Sequence, residues 1–278
     1  MNNLIKCVLT LTTLLCASVA QGQTHQLDKV WETDSILKVP ESVLYHAGTK
    51  SLYVSNIDGK PGEKDSKGSI AKVSLDGKTI NNDWAVDLSA PKGMGIFKNT
   101  LYTADVDEVA AIDLNSGKVT QRFTVEGAGF LNDVTIDKNG TVYISDSKTG
   151  KIHRLQNGKV TTYLENQMGV NGLLSAGGDL YVLVKGSLWK ADKDKKLSKL
   201  ADGMEASTDG IEQTKDKNFI VSCWNGVVYH VTADGKVQEL LDTRPQKISS
   251  ADIGFDPERN IVYVPTFFGN KVVAYQFR

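Results

Sequence analysis

The sequence predicts an all-β fold: a six-bladed β-propeller of four-stranded antiparallel blades. Three observations carry this reading. One segment grammar recurs six times, the repeats are spaced by roughly 40 residues, and the turns are built from Gly and Asx residues instead of Pro. The 278 residues include 25 Gly and only 6 Pro, the bias that β-hairpins favour. A composition of 40% hydrophobic and 23% charged residues with a formal net charge of -1 belongs to a folded soluble chain. It disfavours disorder, collagen and a polybasic nucleic-acid binder.

The elements are justified in chain order. Lys6 precedes an apolar run over residues 7–15, followed by small residues up to Ala20 or Gly22. This pattern reads as a secretory signal over residues 1–22, cleaved after Ala20 or Gly22, and is too short for a membrane span. It places the mature chain, residues 23–278, outside the cell or in the periplasm of a bacterium as one propeller domain. Cys7 and Cys16 leave with the signal. Cys223 then stands alone, so the mature fold rests on packing without an intramolecular disulfide.

The second strand of each repeat reads Ser51-Leu52-Tyr53-Val54-Ser55, Thr100-Leu101-Tyr102-Thr103, Thr141-Val142-Tyr143-Ile144-Ser145, Asp179-Leu180-Tyr181-Val182, Asn218-Phe219-Ile220-Val221-Ser222 and Asn260-Ile261-Val262-Tyr263-Val264. Each follows a turn, and a second set of turns at Asp76-Gly77, Ser116-Gly117, Asn157-Gly158, Lys193-Asp194 and Asp234-Gly235 joins a third strand to a fourth. First-strand starts at Glu41, Gly93, Asn132, Asn171, Asp209 and Asp252 are 52, 39, 39, 38 and 43 residues apart. The last repeat ends at Val273-Ala274-Tyr275-Gln276-Phe277 without a fourth strand, whereas Lys29-Val30-Trp31-Glu32-Thr33 is a strand without a repeat. Pairing the two closes the ring and hides its open edges.

First strands line a propeller's central channel, so their starts converge at one mouth. The six occupants are rich in oxygen, and an unpaired buried carboxylate there costs several kcal/mol. The set suits a hard divalent cation such as Ca2+. Zn2+ is less favoured without His or Cys among the six; Mg2+ and Mn2+ are further alternatives.

Four fragments, each opening a blade, resemble the SMP-30/gluconolactonase/regucalcin-like family, and the resemblance spans all six repeats. They are Pro40-Glu41-Ser42-Val43-Leu44-Tyr45, Leu131-Asn132-Asp133-Val134-Thr135-Ile136-Asp137, Val170-Asn171-Gly172-Leu173 and Thr208-Asp209-Gly210-Ile211. The resemblance implies a metal held by Glu41, Asn132, Asn171 and Asp209, and hydrolysis of a small lactone. Asp209 would be both ligand and catalytic proton acceptor, with a neutral to alkaline pH optimum. Asp133 and Asp252 are candidates to orient ligands or water, Asp133 equally a turn residue.

Two departures bear on specificity. Family members acting on sugar lactones often carry an Arg two residues before the first metal-binding Asn, and here that place is Phe130. Many members open with Glu-Gly-Pro, here Glu41-Ser42-Val43. No His pair suggests itself as a base, and His25, His46, His153 and His230 read as satisfied or exposed surface residues. Residues 56–69 lengthen the loop between the second and third strands of the first blade, as a lid over the mouth or a solvated insertion. Trp224, Phe267 and Phe268 fall in equivalent loops, where they form either an apolar substrate wall or interblade packing.

The expected partner is thus a small molecule. Nothing suggests a membrane, a nucleic acid or a nucleotide: residues 127–129 lack the context of a phosphate loop, and the Lys-rich stretch over residues 190–199 is broken by Asp192 and Asp194. The alternative is a non-catalytic calcium-binding propeller that recognises a ligand or partner.

Overall fold

The computed structural model describes residues 24–78 and 80–278, so the expected signal segment and its cleavage point lie outside the described residues. Six four-stranded antiparallel sheets are formed. The first blade runs outward through Pro40–His46, Ser51–Asn56, Gly68–Ser74 and Ile80–Leu88, and the next four repeat this order from inner strands at Pro91–Phe97, Leu131–Ile136, Val170–Ala176 and Thr208–Gln213. The sixth consists of Gly254–Asp256, Ile261–Pro265 and Val272–Phe277, completed on its outer edge by Leu27–Glu32. Inner strands contact their neighbours all the way round, with the sixth meeting the first, so the ring is closed.

Closure is by the strand expected from the sequence. Leu27 pairs with Phe277, Asp28 with Gln276 and Trp31 with Ala274. Trp31 also packs against Tyr263, their ring centroids 5.8 Å apart, which joins the N-terminal strand to the core shared by the first and last blades.

Apolar residues alternate between the two faces of each blade and fill the spaces between blades. One such cluster joins Leu183 and Leu188 of the fourth blade to Ile211, Val221 and Val227 of the fifth. Cys223 is buried in it as a free thiol, so its role is that of a small apolar side chain.

The start of each inner strand departs from regular pairing. Pro40 pairs with Asn56 but Ser42 with Ser55; Pro91 with Asp105 but Met94 with Thr103; Leu131 with Asp146 but Val134 with Ile144. Val170 and Leu173, and Thr208 and Ile211, show the same shift. Each is a β-bulge, which leaves a residue out of the ladder and re-aims its side chain. Hydroxyls on the second strands satisfy the freed backbone: Ser55, Ser145 and Ser222 accept from the amides of Ser42, Asp133 and Gly210, and the Thr103 hydroxyl donates to the Lys92 carbonyl. Carboxylates at the ends of second strands hold the incoming loops, Asp105 accepting from the Ser89 and Ala90 amides and Asp146 from those of Gly129 and Phe130.

Removing residues 27–37 exposes the outer edge of the sixth blade and uncovers Tyr263. The expected outcome is loss of a single cooperative thermal transition, measured by circular dichroism; an unchanged melting curve would contradict closure by this strand.

Candidate functional site

The bulges fall at matching openings of five inner strands, at Glu41, Lys92, Asn132, Asn171 and Asp209. In the second blade the equivalent position is Lys92, and Gly93 lies one residue further along. No side chain fits at Gly93, where an added Cβ would stand 2.3 Å from the Asp133 Oδ1 atom.

Glu41, Asn171 and Asp209 form a connected group. The Asn171 Nδ2 donates to the Asp209 Oδ1 at 2.8 Å. Asp209 is buried, and burial together with the nearby Asp133 charge pushes its carboxyl up to about 7, against the pull of the Asn171 bond. Glu41 is buried too, and burial followed by the charge of Asp209 holds its carboxyl well above the usual range, with Lys92 opposing. Two acceptors in this group are buried without a hydrogen-bond donor: Glu41 Oε2 and Asn171 Oδ1. Asn132 occupies the matching position in the third blade, its amide donating to the Ser147 hydroxyl at 3.3 Å.

Asp133 and Asp252 sit one level below these residues. The Asp133 carboxylate accepts the amides of Val134 and, across the blade boundary, Leu173, each at 2.6 Å. It therefore ties the third blade to the fourth. The inner strand of the sixth blade begins at Gly254, so Asp252 precedes it and instead forms an isolated bridge with Ser42, whose hydroxyl donates to it at 2.5 Å. A cavity of about 230 Å³ occupies the channel below, lined in part by Asp133, Glu212 and Asp252. Burial and the Asp133 charge push the Glu212 carboxyl up to about 8, while a backbone bond from Phe255 opposes this.

Lys92 was not anticipated among the site residues. It is 1% exposed, and its ammonium donates to the carbonyls of Pro61 at 2.8 Å and Ala90 at 3.2 Å while lying 4.7 Å from the Phe130 ring centroid. The parallel between Pro40-Glu41 and Pro91-Lys92 was the available signal. Through Pro61 this lysine holds the lengthened loop of the first blade, which is further fixed by an ion pair between Lys64 and Asp107 at 2.6 Å.

The three aromatic residues do cluster, but unequally. Phe267 is buried with Ile57, Ala90 and Ala251, in a left-handed conformation at φ 49° that a bulky residue adopts only when packing fixes it. Trp224 and Phe268 are 41% and 70% exposed, their centroids 6.4 Å apart and edge to face. The histidines stay away from the mouth group. His153 and His230 are buried on third strands, not at the surface: His153 stands 3.7 Å from Asp146 and the His230 ring lies tilted against those of His25 and Phe277.

The profile of the SMP-30/Gluconolactonase/LRE-like region matches residues 39–251. The chain belongs to this family. Among solved structures, a putative gluconolactonase matches with a TM-score of 0.66 at 14% identity, covering 91% of this chain and 92% of that one. A luciferin-regenerating enzyme matches at 0.63 and 14% identity over 91% and 95%, and a streptogramin B lyase at 0.65 and 12% identity over 92% and 98%. At these identities the structural likeness shows the fold. No curated protein sequence matches the chain.

The channel acids bind protons more tightly in the folded chain than in the unfolded one, because the usual values of 4.5 for Glu212 and 3.8 for Asp133 rise to about 8 and about 7. Their contribution is therefore full below about pH 4, falls progressively as pH climbs above that, and is gone by about pH 8. The melting temperature of the cation-free protein is expected to fall across that window, and Glu212→Gln to flatten the fall. A melting temperature that rises with pH there would contradict it.

Proposed function

We propose that this protein is an exported hydrolase of small lactones that works with a divalent cation, Ca2+ by preference, held by Glu41, Asn132, Asn171 and Asp209. The observation that carries this is the pair of buried acceptors without donors, Glu41 Oε2 and Asn171 Oδ1, in one group with the Asp209 carboxylate. Leaving such atoms unpartnered costs about 1–3 kcal/mol each, and a hard cation takes oxygen ligands of these types. When bound, the ion supplies positive charge that polarises a lactone carbonyl and acidifies water.

The chain's own residues supply the proton path and the shape. Asp209, held by the Asn171 amide, accepts a proton as the oxygen of water bonds to the acyl carbon. The acyl–oxygen bond of the ring then breaks, and that proton passes to the departing ring oxygen to give a hydroxy acid. Phe130, where sugar-lactone hydrolases often have Arg, together with exposed Trp224 and Phe268, favours a lactone with apolar substituents over a free sugar lactone. The lengthened loop over residues 56–69 is the natural cover of the mouth.

Metal analysis by mass spectrometry paired with a lactone panel tests this. The expected result is stoichiometric divalent metal, hydrolysis abolished by chelation and restored by Ca2+, and loss of both metal and about a hundredfold or more of the rate in Asp209→Ala. Full activity in Asp209→Ala would overturn the assignment, and stoichiometric metal with no turnover on any lactone or ester would leave a binding propeller.

A further inference from the structure

Lys92 is the one cationic side chain among the five bulge residues, and nothing in the proposed reaction uses it. Its placement is costly, since a buried ammonium gives up hydration. Two of its three hydrogens are taken by the Pro61 and Ala90 carbonyls, and the Phe130 face lies against it. The charges facing it are carboxylates: Glu41 from the first blade and Asp105 from its own. Asp105 is already held by the Ser89 and Ala90 amides and lies 3.7 Å from Arg122. Glu41 has no such support, and its Oε2 lacks a donor. No hydrogen bond or ion pair joins Lys92 to Glu41, so from the matching bulge position on the adjacent inner strand the lysine acts on that carboxylate through charge alone.

We propose that Lys92 is a built-in counter-charge that sets the cation affinity of the mouth, its buried ammonium acting through charge from the bulge position next to that of Glu41, so that an incoming divalent ion meets a site already partly neutralised. This rests on the proposed cation site. Its consequence is a weaker site than an acidic ring alone provides, because a fixed positive charge repels a dication, and does so strongly in a low-dielectric setting. The same ammonium anchors the first-blade loop at Pro61, so the charge that tunes the site and the contact that fixes its cover reside in one side chain. Arg at this position would keep the charge, whereas Met would keep the length and the contact with Phe130 while losing it.

The test is titration calorimetry with Ca2+, and separately Mn2+, at about pH 8, above the values of about 7 reached by Asp133 and Asp209, on wild type, Lys92→Met, Lys92→Arg, Asp209→Ala and Lys64→Ala. The last loosens the loop through its Asp107 ion pair and leaves the charge at the mouth intact. Lys92→Met is expected to bind about tenfold or more tightly than wild type, with Lys92→Arg and Lys64→Ala near wild type. Tryptic cleavage in the loop, at Lys60 or Lys64, should accelerate in Lys92→Met, and a preserved melting transition shows that the variant is folded.

Affinity in Lys92→Met equal to or weaker than wild type overturns the inference while leaving the cation site standing. A similar tightening in Lys64→Ala overturns it too, since loop opening would then be the cause. Binding by Lys92→Met alone, with none by wild type, upholds it in its strongest form. Absence of binding by every chain removes the cation site and the inference together.

Discussion

The structure depends on the β-bulge that opens the inner strand of five blades. A regular strand would alternate its side chains between the two neighbouring blades and send none of them to the axis at the mouth. The bulge breaks that alternation at one residue per blade, at Glu41, Lys92, Asn132, Asn171 and Asp209, and among these Asn171 and Asp209 are hydrogen-bonded across the blade boundary. In four blades it persists because its freed backbone groups are satisfied locally by the hydroxyls of Ser55, Thr103, Ser145 and Ser222, and in the fourth blade the Leu173 amide is taken by the Asp133 carboxylate. Without those bonds each bulge would carry a buried unpaired polar group, and regular pairing would compete.

Electrostatics at the axis follow from that geometry. The mouth and the level below it gather Glu41, Asp133, Asp209, Glu212 and Asp252 in a space that burial keeps at low dielectric, so each favours its protonated form. Asp133 is relieved by two backbone amides and Asp252 by the Ser42 hydroxyl. Relief for Glu41 and Asp209 comes from a lysine and an asparagine amide, which leaves acceptor capacity unused. That unused capacity is what the proposed cation site rests on.

Much of this was legible in the sequence, because blade repeats follow from side-chain alternation and turn chemistry, both of which are local. The six second strands, the hairpin turns and the closing role of Lys29-Val30-Trp31-Glu32-Thr33 needed no tertiary information. Glu41, Asn132, Asn171 and Asp209 were legible as blade openings. Register at a bulge was not, since one extra residue shifts every later side chain. Hence Gly93 stood in for Lys92, and Asp252 was placed level with Asp209 although the sixth inner strand starts later. The recurrent hydroxyl near the end of the second strand was visible in Ser55, Thr103, Ser145 and Ser222, but its purpose appears only beside the bulge it fills. His153 and His230 read as satisfied or exposed surface residues on third strands, whereas both are enclosed by the packing of those strands.

The central claim is that side chains from separate blades meet at one point on the axis because of their bulges. Anomalous diffraction from crystals soaked in Mn2+ tests it most directly. One strong peak is expected at the mouth, within about 2.5 Å of oxygen atoms from Glu41, Asn132, Asn171 and Asp209. A peak elsewhere, or these side chains turned toward different blades with no peak between them, would contradict it.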